Sequence, residues 1–169
     1  MIKKIFITFV LSFFLTTNSF SAGSSGSSSS NSKSDYDKAV THIRFAKKYE
    51  KKGKVKKANK RYEKALKLLT KSNIDKPNNA DTLNYLGFTT RKLGDFSNGE
   101  KFYLQGLAIE PDHKGINEYL GELYVSTNRL DLAKERLEVL KACNCEEYNQ
   151  LKQVIDGEKE SKMRKIAIK

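Results

Sequence analysis

The amino-acid sequence predicts an all-α fold, an α-solenoid of three stacked helix pairs closed by a C-terminal capping helix. Three observations predict it. Pro77-Asn78-Asn79 recurs as Pro111-Asp112-His113, Leu86-Gly87 as Leu120-Gly121, and Leu93-Gly94-Asp95-Phe96 as Thr127-Asn128-Arg129-Leu130, each pair 34 residues apart. That interval is the period of a helix–turn–helix repeat, and three separate anchors rarely share one interval by accident. Between the anchors, Leu83, Leu86, Gly87 and Thr90 fall at i, i+3, i+4 and i+7, one face of a helix. An earlier copy precedes them, with Gly53 at its turn and Ala46, Ala58 and Ala65 at its small positions.

Residues 1–22 read as an export signal. Lys3-Lys4 supplies a positive start, Ile5 to Leu15 an apolar run, and Ser19-Phe20-Ser21-Ala22-Gly23 small residues for cleavage. The run is short for a bilayer span, which needs about 20 apolar residues; an uncleaved N-terminal anchor is the lesser alternative. A periplasmic or secreted location is the expectation. Residues 23–34 are almost all Ser, Gly and Asn, a composition that buries no core and serves as a flexible linker. The folded domain is expected over 35–156, with Asp35 or Asp37 as the first helix N-cap.

The first repeat spans about 39–79, with Phe45, Tyr49, Val55 and Tyr62 at its large positions. Gly53 and Gly94 stand 41 residues apart, seven more than the later interval, and the excess falls in 69–76 as a longer helix end or a wider loop. In the second repeat, 80–113, Leu93-Gly94-Asp95 breaks the first helix with a residue suited to left-handed backbone. Phe96, Gly99, Phe102, Tyr103 and Gly106 then resume helical spacing, and Pro111 follows the helix end. The third repeat, 114–143, has Leu120, Tyr124, Leu130 and Leu137 as its large residues. Tyr148, Leu151, Val154 and Ile155 make an amphipathic stripe over 146–156, the element that covers the last pair. A charged C-terminal tail occupies 157–169.

Gly87, Gly99 and Gly106 sit where paired helices cross, and Gly121 and Ala133 take the first two of these places in the next unit, with Leu140 at the third. A hydrogen for a side chain lets helix axes approach, at a propensity cost of about 1 kcal/mol per glycine. This pattern resembles the tetratricopeptide (TPR) repeat from Ala39 to about Cys143. The departures are His42 and Asn117, at places where the family has bulky apolar residues, and Leu140; they suggest looser packing at the two ends of the array.

The resemblance implies a right-handed superhelix whose first helices line a concave groove that grips a protein or peptide partner. Its register assigns Ile43 and Lys47 to that groove from the first unit, Asn84, Phe88, Arg91 and Lys92 from the second, and Glu118, Glu122 and Val125 from the third. Phe88 would leave apolar area uncovered there. Relatives that clamp a chaperone's C-terminal carboxylate need Lys, Asn and Arg at places held here by Ile43, Lys47, Tyr85, Gly115 and Tyr119, so that specialisation is not expected. The mixture of Lys47, Arg91 and Lys92 with Glu118 and Glu122 suits a ligand of mixed charge.

Net charge is +12, unevenly placed. Residues 33–76 hold 16 Lys or Arg against five Asp or Glu, whereas 77–169 hold 14 against 15. The run from Lys47 to Arg61 offers a patch for envelope polyanions or anionic lipid, with peripheral membrane contact as its corollary. The competing reading is a solvated face in a lysine-rich chain, 26 Lys to 6 Arg. Nucleic acid is not an expected partner, because no stacking motif accompanies the charge.

Nothing in the sequence forms a nucleophile elbow, a phosphate-binding glycine loop or a paired metal-ligand motif. His42 falls on a helix core face and His113 in an inter-repeat turn, neither beside a catalytic partner. No catalytic residue, metal, cofactor or small-molecule substrate is expected. Cys143-Asn144-Cys145 reads first as a disulfide stapling the turn before the capping helix, then as free thiols, with metal or redox chemistry behind. The expected function is a non-enzymatic, exported scaffold or adaptor for protein binding.

Overall fold

The structure, a computed structural model, describes residues 33–159. Seven α-helices follow one another: α1 (Asp35–Lys51), α2 (Val55–Asp75), α3 (Ala80–Lys92), α4 (Phe96–Ile109), α5 (Lys114–Ser126), α6 (Leu130–Leu140) and α7 (Glu146–Ile155). Each odd helix from α1 to α5 packs against its successor, each pair packs on the next, and α7 lies against α5 and α6. Three helix pairs and a cap therefore make an all-α solenoid. The export signal, most of the Ser/Gly linker and the end of the charged tail lie outside the described residues.

The 34-residue anchors turn out to be helix boundaries. Gly53 (φ 67°), Gly94 (φ 99°) and Asn128 (φ 58°) occupy one place in the three within-pair turns, all left-handed. Asn tolerates that conformation better than other side-chain-bearing residues, which explains its substitution for Gly in the third copy. Asn79 and His113, the second anchor pair, are both N-caps. The Asn79 side chain accepts from the Thr82 N–H at 2.7 Å, and His113 Nδ1 accepts from the Ile116 N–H at 3.2 Å.

Ser34, not Asp35 or Asp37, caps α1. Its hydroxyl accepts from the Asp37 N–H at 3.1 Å while the Asp37 carboxylate accepts from the Ser34 N–H at 3.3 Å. A serine with an acid three residues on forms such a reciprocal box, and Asp37 supplies its second half. The seven extra residues of the first repeat extend a helix: α2 has 21 residues where α4 has 14. Leu69 buries part of the extension, and Lys71 Nζ near its end meets the Asp35 carboxylate at 2.5 Å.

Ala46, Ala58, Ala65 and Ala133 are fully buried at the crossings. A Cβ on Gly87 would stand 2.5 Å from the Tyr103 ring of α4, and one on Gly121 would stand 2.5 Å from Leu151 of α7. The large residues that open the second helices behave differently. Val55, Phe96 and Leu130 are 38 %, 38 % and 42 % exposed, because the turn just before each leaves one side of its ring or branch open to water.

In α1 the buried face is Ala39, Ile43 and Ala46, so Phe45 faces outward. The expected looseness at the array ends is absent at two of its three positions. Asn117 is buried with its amide donating to the carbonyls of Pro111 (3.0 Å) and His113 (3.1 Å), and Leu140 is buried at the end of α6. At the third, His42 is half-buried and its Nδ1 accepts from Arg61 at 3.1 Å.

Gly87→Ala should lower stability although alanine is the better helix former by about 1 kcal/mol. The added methyl overlaps a buried ring, and overpacking of that kind costs about 1–3 kcal/mol. Urea unfolding followed by circular dichroism reads the difference. A stabilised variant would mean that the α3–α4 crossing is slack.

Candidate functional site

The first helices present the side chains that do not serve the core. On α3, Asp81, Asn84, Tyr85 and Phe88 fall at i, i+3, i+4 and i+7, a stripe turned away from Leu83 and Leu86. Phe88 lies between the neighbouring helices. Its ring meets Tyr62 of α2 edge-on at 6.0 Å and Tyr119 of α5 at 5.1 Å, and Lys47 Nζ of α1 stands 4.5 Å from its centre. Phe88 is therefore 1 % exposed, and the uncovered aromatic expected from the register is not there. Helical spacing alone could not reveal rings arriving from two other helices.

The charges expected to meet a ligand also pair with one another. Arg91 Nη2 of α3 lies 3.3 Å from Glu122 Oε2 of α5, both side chains fully buried, and Lys92 Nζ of α3 lies 2.8 Å from Glu50 Oε1 of α1. These pairs tie α3 to the first helix on either side. Burial lowers the Lys92 ammonium below the ordinary lysine range, against the opposing pull of Glu50. Burial likewise raises the Tyr119 phenol, with the Glu118 charge adding to it.

Two clefts open on either side of this cluster, and Tyr85 lines both. The first, about 340 Å³, is walled by Ile43, Arg44, Lys47, Lys48 and Lys51 of α1. The second, about 520 Å³, is formed by the start of α3, the α4–α5 turn and the start of α7. Asp81, Asn84, Glu110, Asp112, Glu118 and Glu147 line it, together with the Tyr119 ring. One end is cationic and the other acidic. Burial and then the Asp81 charge raise the Tyr85 phenol, so the ring at the junction stays neutral at physiological pH.

The nine groove residues thus divide. Ile43 and Lys47 line the cationic cleft, although Ile43 is also core. Asn84 and Glu118 line the acidic one, while Phe88, Arg91, Lys92 and Glu122 form the cluster between the helices. Val125 lines neither cleft and packs against the core of the second and third pairs. Sequence reasoning missed Arg44, Lys48, Tyr85 and the acids contributed by the α4–α5 turn and α7. The i, i+4 spacing of Asp81 and Tyr85 with Phe88 was a signal for Tyr85.

Cys143 and Cys145 are joined, with an S–S distance of 1.95 Å, across Asn144 in left-handed conformation (φ 46°). The bridge closes the turn between α6 and α7. Among the described residues no group of three His, Cys, Asp or Glu side chains is placed to hold a metal ion, and no helix is long and apolar enough to cross a membrane.

This geometry defines a class, the helical-repeat solenoid of TPR type. Among solved structures the chain is similar to the first TPR of Spaghetti (RPAP3) bound to HSP90 peptide SRMEEVD, with a TM-score of 0.52 and 22 % sequence identity over 72 % of this chain and 94 % of that one. No protein-family model matches the chain, and no curated protein matches it.

Removing one member of a buried ion pair costs about 3–5 kcal/mol, whereas replacing both by apolar groups is often neutral. Arg91→Met should therefore destabilise the fold strongly, and adding Glu122→Leu should recover much of the loss. Chemical denaturation of the two variants measures this. Additive losses would show that the pair does not couple α3 to α5.

Proposed function

We propose that the chain is a non-enzymatic interaction module that holds a peptide or helical segment of mixed charge along the face built by α1, α3 and α5. The observation that carries this reading is the pair of clefts of opposite charge meeting at Tyr85. A neutral aromatic between a cationic and an acidic pocket suits an extended segment with acidic residues at one end and basic residues at the other. A structure of similar fold holding a peptide supports the same use.

Export belongs to this reading. The N-terminal 22 residues have the three parts of a secretory signal, and the Cys143–Cys145 bridge suits an oxidising compartment. Cell fractionation with mass spectrometry of the N-terminus tests it. An intact N-terminus on cytosolic chain would contradict it.

A second reading is supported by the outer surface of α1 and α2. Arg44, Lys48 and Arg61 stand 6.0, 5.8 and 5.4 Å from the half-exposed Phe45 ring, a cationic patch able to adapt the chain to polyanions or anionic lipid.

Fluorescent peptides carrying separated acidic and basic blocks, with neutral and single-sign controls, discriminate the two readings. The module should prefer the mixed peptide by about tenfold or more, equivalent to about 1.4 kcal/mol. Lys48→Glu with Lys51→Glu, both at exposed positions, should remove that preference. Tightest binding to the all-acidic peptide, lost at high salt, would support the polyanion reading instead.

A further inference from the structure

The acidic cleft carries chemistry that the net charge of +12 conceals. Asp81, Glu110, Asp112, Glu118 and Glu147 line it against Lys114 as its one lysine. His113 adds no fixed charge from that geometry. Its Nδ1 is occupied as an acceptor by the Ile116 N–H, so its Nε2 carries the proton that faces Asp81 at 3.3 Å.

A cluster of acids does not by itself specify a ligand. Asn84 does. Its side chain lines the same cleft, the residue is only 7 % exposed, and its Oδ1 has no hydrogen-bond partner. A buried amide oxygen left without a donor is costly, and native structures rarely keep one that nothing uses. Gly115 makes the room for it, since a Cβ there would stand 2.8 Å from Asn84 Nδ2. Any other residue at position 115 would press on the amide.

The missing partner must donate, and the surrounding carboxylates require it to be positive. The acids come from α3, the α4–α5 turn and α7, too dispersed around about 520 Å³ to coordinate one metal ion. A guanidinium or ammonium group on a flexible stem meets every condition. It has several donors, no acceptor and a positive charge, and the Tyr85 and Tyr119 rings in the cleft offer it apolar walls and π faces.

We propose that this cleft is a cation subsite for an arginine or lysine side chain of a bound peptide, with Asn84 Oδ1 accepting one of its N–H groups. The subsite rests on the reading of the first-helix face as a peptide site, and it gives that peptide a direction. Its basic residue lies toward α5 and α7, and its acidic residues lie toward Arg44 and Lys48 of α1.

The probes are acetyl-arginine amide, acetyl-lysine amide and the neutral isostere acetyl-citrulline amide, titrated into the full chain and followed by the NMR signals of the Asn84 side-chain amide and His113. Saturable shifts with a cationic probe, and binding about tenfold or more weaker for citrulline, are expected. The stronger of the two cations tells whether the site favours a planar fork or a point charge. Asn84→Leu should weaken the cationic probe about tenfold, and Glu110→Gln with Asp112→Asn, both exposed, should weaken it in a chain whose core is untouched. Equal response to citrulline, or no effect of the Glu110 and Asp112 changes, overturns the subsite. A mixed-charge peptide that binds equally with citrulline in place of its arginine also overturns the subsite but leaves the groove reading standing. Cationic probes that bind while no peptide does would support the subsite and remove the groove reading.

Discussion

Close approach of helices at a few hydrogen-sized side chains is the constraint on which the rest of the structure depends. Gly87 admits the Tyr103 ring, Gly106 admits Ile116 of the next pair, and Gly121 admits Leu151 of the capping helix. Each contact joins a different kind of neighbour: a helix to its own partner, one pair to the next, and the last pair to its cap. Because every unit leans only on adjacent ones, the array needs an end piece, and α7 provides it with buried Leu151 and Val154. The disulfide between Cys143 and Cys145 holds the turn that delivers α7 to that place.

With cores built from small and apolar side chains, the first helices are left to carry polar and aromatic residues on their other side. There the chain uses charge twice. Arg91 with Glu122 and Lys92 with Glu50 join α3 to its two neighbours, so the spacing of the first helices is fixed by buried ion pairs as well as by packing. Remaining charges segregate to the two ends, lysines and arginine along α1 and carboxylates around the α4–α5 turn. A basic chain thereby keeps an acidic pocket, and Tyr85 stands where the two fields meet.

Most of the fold was legible because it depends on spacing. The 34-residue interval marked turns and N-caps, and even the surplus in the first repeat appeared as two added turns of α2. The seam between first helices was less legible. Phe88, Arg91, Lys92 and Glu122 have the right register for a groove, yet their partners come from residues 31 or more positions away, as with Arg91 and Glu122, or from a different pair, as with Phe88 and Tyr62. Periodicity places a residue on a face without saying what comes to cover that face. The acidic cleft was hidden for a related reason, since its walls arrive from a turn and from the capping helix rather than from the repeat itself.

The central claim is that the first-helix face gives its ligand a direction, acid toward α1 and base toward α5 and α7. Paramagnetic relaxation tests this most directly, with a nitroxide placed at either end of one mixed-charge peptide bound to the isotopically labelled chain. The account predicts broadening of α1 amides when the label is on the acidic end, and of the α4–α5 turn and α7 when it is on the basic end. The same broadening from both labels, or the reverse assignment, would contradict it.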